Sequence, residues 1–382
     1  MTPQHDPPHP TGADATDVRP APPPRTLVLG ATGFIGRHLV FELLTQGVPV
    51  AAAVRGDVRR ADGLRRWLGE HGTVPEGLTV VQVDLTRPGL GLTPEDDDRL
   101  TGVRDVYNPA ALYRFGLARE EAYAVNAAGA LHTAQWAATR PDLRRLVHLS
   151  GYRITGRDVP RFPLPAAEAD ALYRRQGAYE ASKREGDAAV RITAARLGVP
   201  LTVVGPSSVI GHSVTGASGQ YIGLADLVRK LWTGRLPLLP GTRRTFMPVV
   251  AVDHLARFLA AVPEHDRGAA HLHTVLDPQT PELPRLVALI ADHLGVRAPR
   301  RTVPVGLVRR LPRVLTGADP ETLPFFSEDR YDTRSADLLS RAAGLHHPPV
   351  EDLLRRWAER LVADGFGSST GPDRGDSGSG RS

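Results

Sequence analysis

One stretch near the start of the chain restricts its possible folds more than any other. Residues Thr26 to Gly30 form a short apolar run, and Gly30-Ala31-Thr32-Gly33-Phe34-Ile35-Gly36 comes directly after it. From Phe34 to Gln46 the apolar residues Ile35, Leu39, Leu43 and Leu44 then recur at helical spacing. A buried strand, a glycine-rich turn and a helix in that order predict the first unit of a parallel α/β sheet. Glycines in such a turn allow a sharp bend, close approach of a ligand and close packing of helix on strand. The helix start offers free N–H groups and the positive end of its dipole, which suit a phosphate. The spacing is GxxGxxG rather than GxGxxG, and loops use glycine for turns anyway. The reading therefore depends on the pattern of the remaining chain.

That pattern is an alternation. Strands are predicted at 48–54, 78–83, 103–107, 145–149 and 201–204, with helices around 58–68, 118–139 and 179–197 between them. Such alternation predicts an α/β fold, a doubly wound parallel sheet of Rossmann type with a smaller C-terminal substrate lobe. Residues 25–211 make up the predicted dinucleotide-binding domain. Beyond 211 the pattern loosens into helices near 222–232, 252–261 and 284–294, so 212–366 reads mainly as the substrate lobe, with 271–275 returning to the sheet. Residues 1–24 are rich in Pro, His and Asp, and 367–382 in Gly and Ser. Both are expected to be a disordered arm and tail, because they have little to bury.

Composition removes several alternatives. There is no cysteine, which excludes disulfides, thiolate metal sites and a cysteine nucleophile. His346-His347 lacks companion ligands at metal-site spacing, so no metal is expected. Asp253-His254 opens a predicted helix, where capping explains the aspartate. The formal charge is +5, but the arginines are scattered without interleaved aromatics, so no nucleic-acid partner is expected. No apolar run reaches the roughly 18 residues of a membrane span. With no export signal apparent, a cytoplasmic location is expected.

The end of the second strand bears on the phosphate ligand. It reads Val54-Arg55-Gly56-Asp57, with Arg59 and Arg60 beyond. Arg55 is placed to bond a ribose 2′-phosphate, favouring NADP(H). A plain surface arginine, with Asp57 serving the ribose hydroxyl of NAD(H), is the alternative. Tyr179-Glu180-Ala181-Ser182-Lys183 sets a phenol and an ammonium one helical turn apart on one face. An ammonium and a cationic nicotinamide would both stabilise phenolate, so Tyr179 could exchange a proton with an oxygen undergoing hydride transfer. The chain has only two lysines, Lys183 and Lys230, which makes a chance pairing at this place improbable.

With these motifs the sequence resembles the extended short-chain dehydrogenase/reductase family over about Thr26 to Ala261. The resemblance rests on GATGFIG, Asp84-Leu85, Asn108-Pro109-Ala110-Ala111, Asn126 in VNAAG, YEASK, VVGPSSVIG and FMPVVAVDHLA. It implies that Asp84 and Leu85 contact adenine, that Ala110 and Ala111 line the cofactor path, and that Pro206 sits near the carboxamide. Lys183 would also hold the nicotinamide ribose. Asn126 matches an asparagine of the family's proton relay, or is a buried structural amide. The family's Ser or Thr after the fifth strand falls on Gly151, so either Ser150 serves in its place, another donor such as Tyr152 acts, or the site is weakened. The family's arginine before the later proline is replaced by Gly205. The implied activity is hydride transfer between NADP(H) and a ketone, aldehyde or acyl thioester and its alcohol. The alternatives are an NAD-dependent nucleotide-sugar epimerase or dehydratase, and a cofactor-sensing protein without turnover. A small-molecule substrate and a homodimer are further expectations of the resemblance.

Overall fold

Seven parallel strands carry the molecule: β1 (Thr26–Val28), β2 (Val50–Arg55), β3 (Leu78–Val83), β4 (Asp105–Asn108), β5 (Arg145–Leu149), β6 (Leu201–Pro206) and, after three short strands, β10 (Ala270–Val275). The computed structural model describes residues 22–367 except 74, 115, 156–160 and 309–321. The predicted arm and tail therefore lie almost wholly outside the described residues. The spatial order is β10-β6-β5-β4-β1-β2-β3, and every neighbour is parallel. Parallel strands covered on both faces need unbroken apolar runs, and β2 and β5 are buried along almost their whole length. The predicted return of 271–275 to the sheet is realised in β10, which pairs with β6 at the edge.

Helices cover both faces. On one, α1 (Phe34–Thr45) lies against α8 (Val252–His265) over a core containing Val28, Val50, Val147 and Phe258. On the other, α5 (Gly129–Ala137) and α6 (Ala166–Leu197) close over Leu27, Ala51, Val106 and Leu146. Consecutive residues of one strand thus serve opposite cores. The strand order reverses between β1 and β4, and the crevice at their C-terminal ends is where open α/β sheets bind ligands.

Two helices depart from the sequence reading, each for a local reason. The predicted 118–139 helix consists of α4 (Arg119–Ala122), a widened π segment (Tyr123–Ala128) and α5. In the π segment the Gly129 N–H bonds the carbonyl of Ala124, five residues back. The predicted 179–197 helix begins earlier, at Ala166. Gly177, at φ 79°, interrupts it two residues before Tyr179, so the tyrosine opens a fresh helical run.

The C-terminal part builds its own core from α7 (Leu224–Trp232), α9 (Leu283–Leu294) and the helix Val350–Ala363, around the fully buried Trp357. Strands β7 (Ser208–Ile210) and β9 (Val249–Ala251) pair in parallel beside it.

Candidate active site

The glycine turn meets the demands of a phosphate cradle. Gly30 has φ 68°, and a Cβ there would lie 2.9 Å from the Ala110 Cα, so only glycine lets β1 and the loop after β4 close up. A Cβ on Gly36 would sit 2.1 Å from the Gly30 carbonyl oxygen. Gly33 caps α1 with no side-chain bond, and no acidic residue occupies the first turn. The α1 N–H groups are left to a ligand, and the exposed Thr32 and Gly33 lie at their approach. Phe34, Ile35 and Gly36 line the crevice that leads on toward Ala111, Lys183 and Pro206.

At the far end of the sheet Arg55 closes β2 in register with Val83, the last residue of β3, and Asp84 comes next. Asp84 is fixed by Thr86, whose N–H and hydroxyl donate to Oδ1 at 3.0 and 2.6 Å. The Thr86 hydroxyl first, with Arg87 and Arg55 adding to it, holds the Asp84 carboxyl below its usual range. Arg55 is exposed and, among the described residues, makes no ion pair or hydrogen bond. Asp57 is engaged instead: it accepts from the Arg59 N–H at 2.8 Å and from its Nε at 2.7 Å. Leu85 gives its carbonyl to His132 Nδ1 at 2.8 Å.

Tyr179 and Lys183 line one cavity with Ser150, Gly151 and Pro206. Lys183 is buried, and its Nζ donates to the Leu149 carbonyl at 2.6 Å. Burial lowers its pKa to about 8, against a smaller opposite pull from Asp187. Burial pushes the Tyr179 phenol well above its ordinary value, with Tyr113 and Glu180 adding to the rise. Lowering of that pKa by the lysine, expected from the spacing, is thus not a property of the protein by itself. Positive charge on a bound nicotinamide would have to work against the burial. Tyr113, whose ring centroid is 4.7 Å from that of Tyr179, escapes a sequence reading because nothing local marks it.

Asn126 is engaged through both of its side-chain polar atoms. Its Oδ1 accepts from the Leu112 N–H at 2.9 Å, and its Nδ2 donates to the Ser182 hydroxyl at 3.0 Å and the Leu112 carbonyl at 3.3 Å. These bonds tie the loop after β4 to the helix that carries Tyr179, as a buried structural amide would. Its backbone carbonyl is approached closely by Gly186, where a Cβ would lie 2.2 Å away.

The two departures from the family pattern have different physical grounds. A Cβ on Gly151 would meet only the Ile154 Cδ1, at 3.9 Å, so space for a side chain exists and none is used. Ser150 is buried beside Asp187; burial raises that carboxyl above its usual range, against a smaller opposite pull from the Ser150 hydroxyl. Tyr152 and Ser207 also line the cavity with buried, unpartnered hydroxyls. At Gly205, by contrast, a Cβ would fall 2.2 Å from Thr155 Oγ1 and 3.0 Å from the Gly151 backbone, so no arginine fits there without rearrangement.

The uncapped α1 start, the glycine cradle and the unpartnered hydroxyls fit a bound dinucleotide, and the strand order places them together. The fold and motifs define an NAD(P)-binding domain of the extended short-chain dehydrogenase/reductase type. More narrowly, residues 28–259 match the male sterility protein family of NAD-binding domains, and the chain belongs to it. Among curated relatives, the non-canonical nonribosomal peptide synthetase FrzA of Cladobotryum sp is 26% identical over 89% of this chain, which spans only 36% of that protein. The NRPS-like oxidoreductase FscA of Fusarium equiseti is 25% identical over half of this chain, and the match spans 19% of its length. Tetraketide alpha-pyrone reductase 1 of Arabidopsis thaliana is 25% identical over 73% of this chain and 83% of its own. Among solved structures, the terminal R domain of the myxalamid PKS-NRPS pathway superposes with TM-score 0.69 at 22% identity, covering 92% of this chain and 93% of that one. UDP-glucuronic acid 4-epimerase of Bacillus cereus superposes with TM-score 0.62 at 14% identity, covering 88% and 99%. No described helix is long and apolar enough to cross a membrane.

Proposed function

We propose that the protein transfers a hydride between NADP(H) and a carbonyl/alcohol pair, acting on a ketone, aldehyde or acyl thioester. The observation that carries this reading is the single cavity in which Tyr179 and Lys183 meet the glycine turn that opens α1. NADP(H), when bound, supplies or accepts the hydride. In the reducing direction the Tyr179 hydroxyl gives its proton to the substrate oxygen, and Lys183, anchored on Leu149, presents positive charge beside it. The Asn126 bonds hold the loop and helix that frame the phenol. Arg55, unengaged beside Asp84, supports a 2′-phosphate, while Asp57 is occupied by Arg59.

Likeness to an epimerase fold motivates a second reading, nucleotide-sugar epimerisation with retained NAD. The crowding at Gly205 counts against it, because the arginine of that site pattern has no room.

Calorimetric titration of NADPH and NADH into the protein and an Arg55→Ala variant tests the proposal. NADPH should bind more tightly, and the variant should lose most of that preference. Tighter NADH binding would bring the epimerase forward. Binding of neither cofactor by folded protein would sink the proposal.

A further inference from the structure

At the end of the sheet opposite the Tyr179 cavity, three side chains converge beside the edge strand. His271 and His273 alternate along β10 and so project from one face of it. Asp266 joins them from the end of α8, where it is the residue that closes the helix. Register sets His271 beside Thr202 near the start of β6, whereas Pro206, at the end of that strand, lines the cavity of Tyr179 and Lys183. One donor atom from each of the three residues lies within 4.8 Å of the others. His273 Nε2 stands 3.1 Å from Asp266 Oδ1 and 3.0 Å from Oδ2, and His271 Nδ1 stands 3.7 Å from Oδ1. Asp266 and His273 are buried, while the His271 side chain is 32% exposed and opens the group to solvent.

We propose that these residues bind one zinc ion, His271 through Nδ1, His273 through Nε2 and Asp266 through Oδ1, with water in the fourth position. Tetrahedral zinc with bonds of about 2.0–2.2 Å needs ligand atoms about 3.3–3.6 Å apart, and the two separations from Oδ1 bracket that spacing. Two observations set the group apart from an ordinary aspartate–histidine pair. The Nε2 of His271 bonds the carbonyl of Arg267, which can only accept, so that nitrogen carries the proton. In the neutral ring Nδ1 then turns a lone pair toward a carboxylate oxygen, and a cation between the two makes that meeting favourable. A bond from the second ring nitrogen to a backbone carbonyl is also what orients a metal-ligating histidine. At His273 the Nδ1 is buried with no partner, so no bond is lost when the proton moves there and Nε2 takes the metal. Thr202 donates to Asp266 Oδ2 at 2.6 Å, which orients the carboxylate and leaves Oδ1 to the ion. The neighbouring Arg145 is turned to the backbone, donating to the carbonyls of Asp266 at 2.8 Å and Leu201 at 3.4 Å. The ion joins the end of α8 to the edge strand.

Calorimetric titration of zinc chloride into the full chain, first stripped of metal with a chelator, tests the proposal. One ion should bind per chain, and the thermal unfolding midpoint should rise with zinc, because the assembled site exists only in the folded state. His271→Ala, a change at the partly exposed edge, should weaken binding by at least about a hundredfold and abolish the rise. Cobalt(II) in place of zinc should develop the strong visible absorption of a four-coordinate site, and the same variant should lose it. If His271→Ala does not fold, Asp266→Asn replaces it with the same expectation, since it keeps an oxygen for Thr202 while removing the charge. The cobalt spectrum of the unaltered chain needs no variant. Zinc bound no more tightly by the unaltered chain than by the variant, or the weak absorption of six-coordinate cobalt, overturns the proposal.

Discussion

The cofactor cradle and a largely apolar chamber, which shares Tyr113, Val209, Gln220 and Phe325 with the cavity of Tyr179, are assembled in opposite ways. The cradle comes from one continuous turn, where Gly30, Gly33 and Gly36 lie within seven residues, Gly33 and Gly36 close on the turn itself, and Gly30 meets Ala110. The chamber is gathered from Tyr113, Gln220, Leu236, Val303, Phe325 and Trp357, residues spread over most of the chain. A site made of adjacent backbone is fixed by local conformation and can be read as a motif. A site made of distant side chains exists only once helices have packed. Damage should therefore separate cleanly between the two.

The largest separation is expected at Tyr179, in the cavity that the glycine turn lines. Tyr179→Phe should reduce kcat by about 10²- to 10⁴-fold while NADPH still binds, as read by NADPH oxidation and calorimetry on one preparation. Retained turnover would move the proton donor elsewhere. Next, Trp357→Ala should destabilise the protein by about 3–5 kcal/mol, because the fully buried ring leaves a cavity between the C-terminal helices. In the folded fraction NADPH affinity should change little, because Trp357 lies in the C-terminal core away from the glycine turn. A large loss of NADPH affinity would show the two regions to be energetically one.

Gly36→Ala probes the opposite side. Its Cβ would meet the Gly30 carbonyl at 2.1 Å, so the turn must shift, and calorimetry should show NADPH affinity falling more than it does in the Trp357 variant. A smaller effect is expected from pH. Burial lowers Lys183 to about 8, so the ammonium is present below that pH and is lost as pH rises through it. If the charge is needed, kcat/KM should decline above about pH 8, by roughly tenfold per unit. A profile flat to pH 10 would remove the ammonium from the chemistry. The smallest change is expected from Gly151→Ser, which fits the empty space there. It should raise kcat by less than the roughly 10²-fold such a donor is worth in a site built around it. No change would indicate that a donor such as Ser150, Tyr152 or Ser207 already serves.

Much of the fold is legible in the sequence because parallel strands leave long apolar runs: β3 and β5 match their predicted limits, and β10 contains the segment expected to return to the sheet. The helices are less so. Nothing in VNAAG announces a π turn, and the Gly177 break depends on how α6 crosses the sheet. Site residues divide along the same line. Tyr179 and Lys183 share a helix face through spacing alone, and the cavity does bring them together.

The sequence by itself determined the strand–turn–helix cradle, the alternation that builds the sheet, and the pairing of a phenol with an ammonium, since each arises from local backbone geometry and helical period. Only the tertiary structure decided that Asn126 clamps Leu112 to Ser182, that Asp57 is tied to Arg59 while Arg55 has no partner among the described residues, that Gly205 has no room for a side chain while Gly151 has, and that a largely apolar chamber adjoins the cavity of Tyr179 and Lys183. Those outcomes depend on distances between segments far apart in the chain, which packing sets and local sequence does not encode.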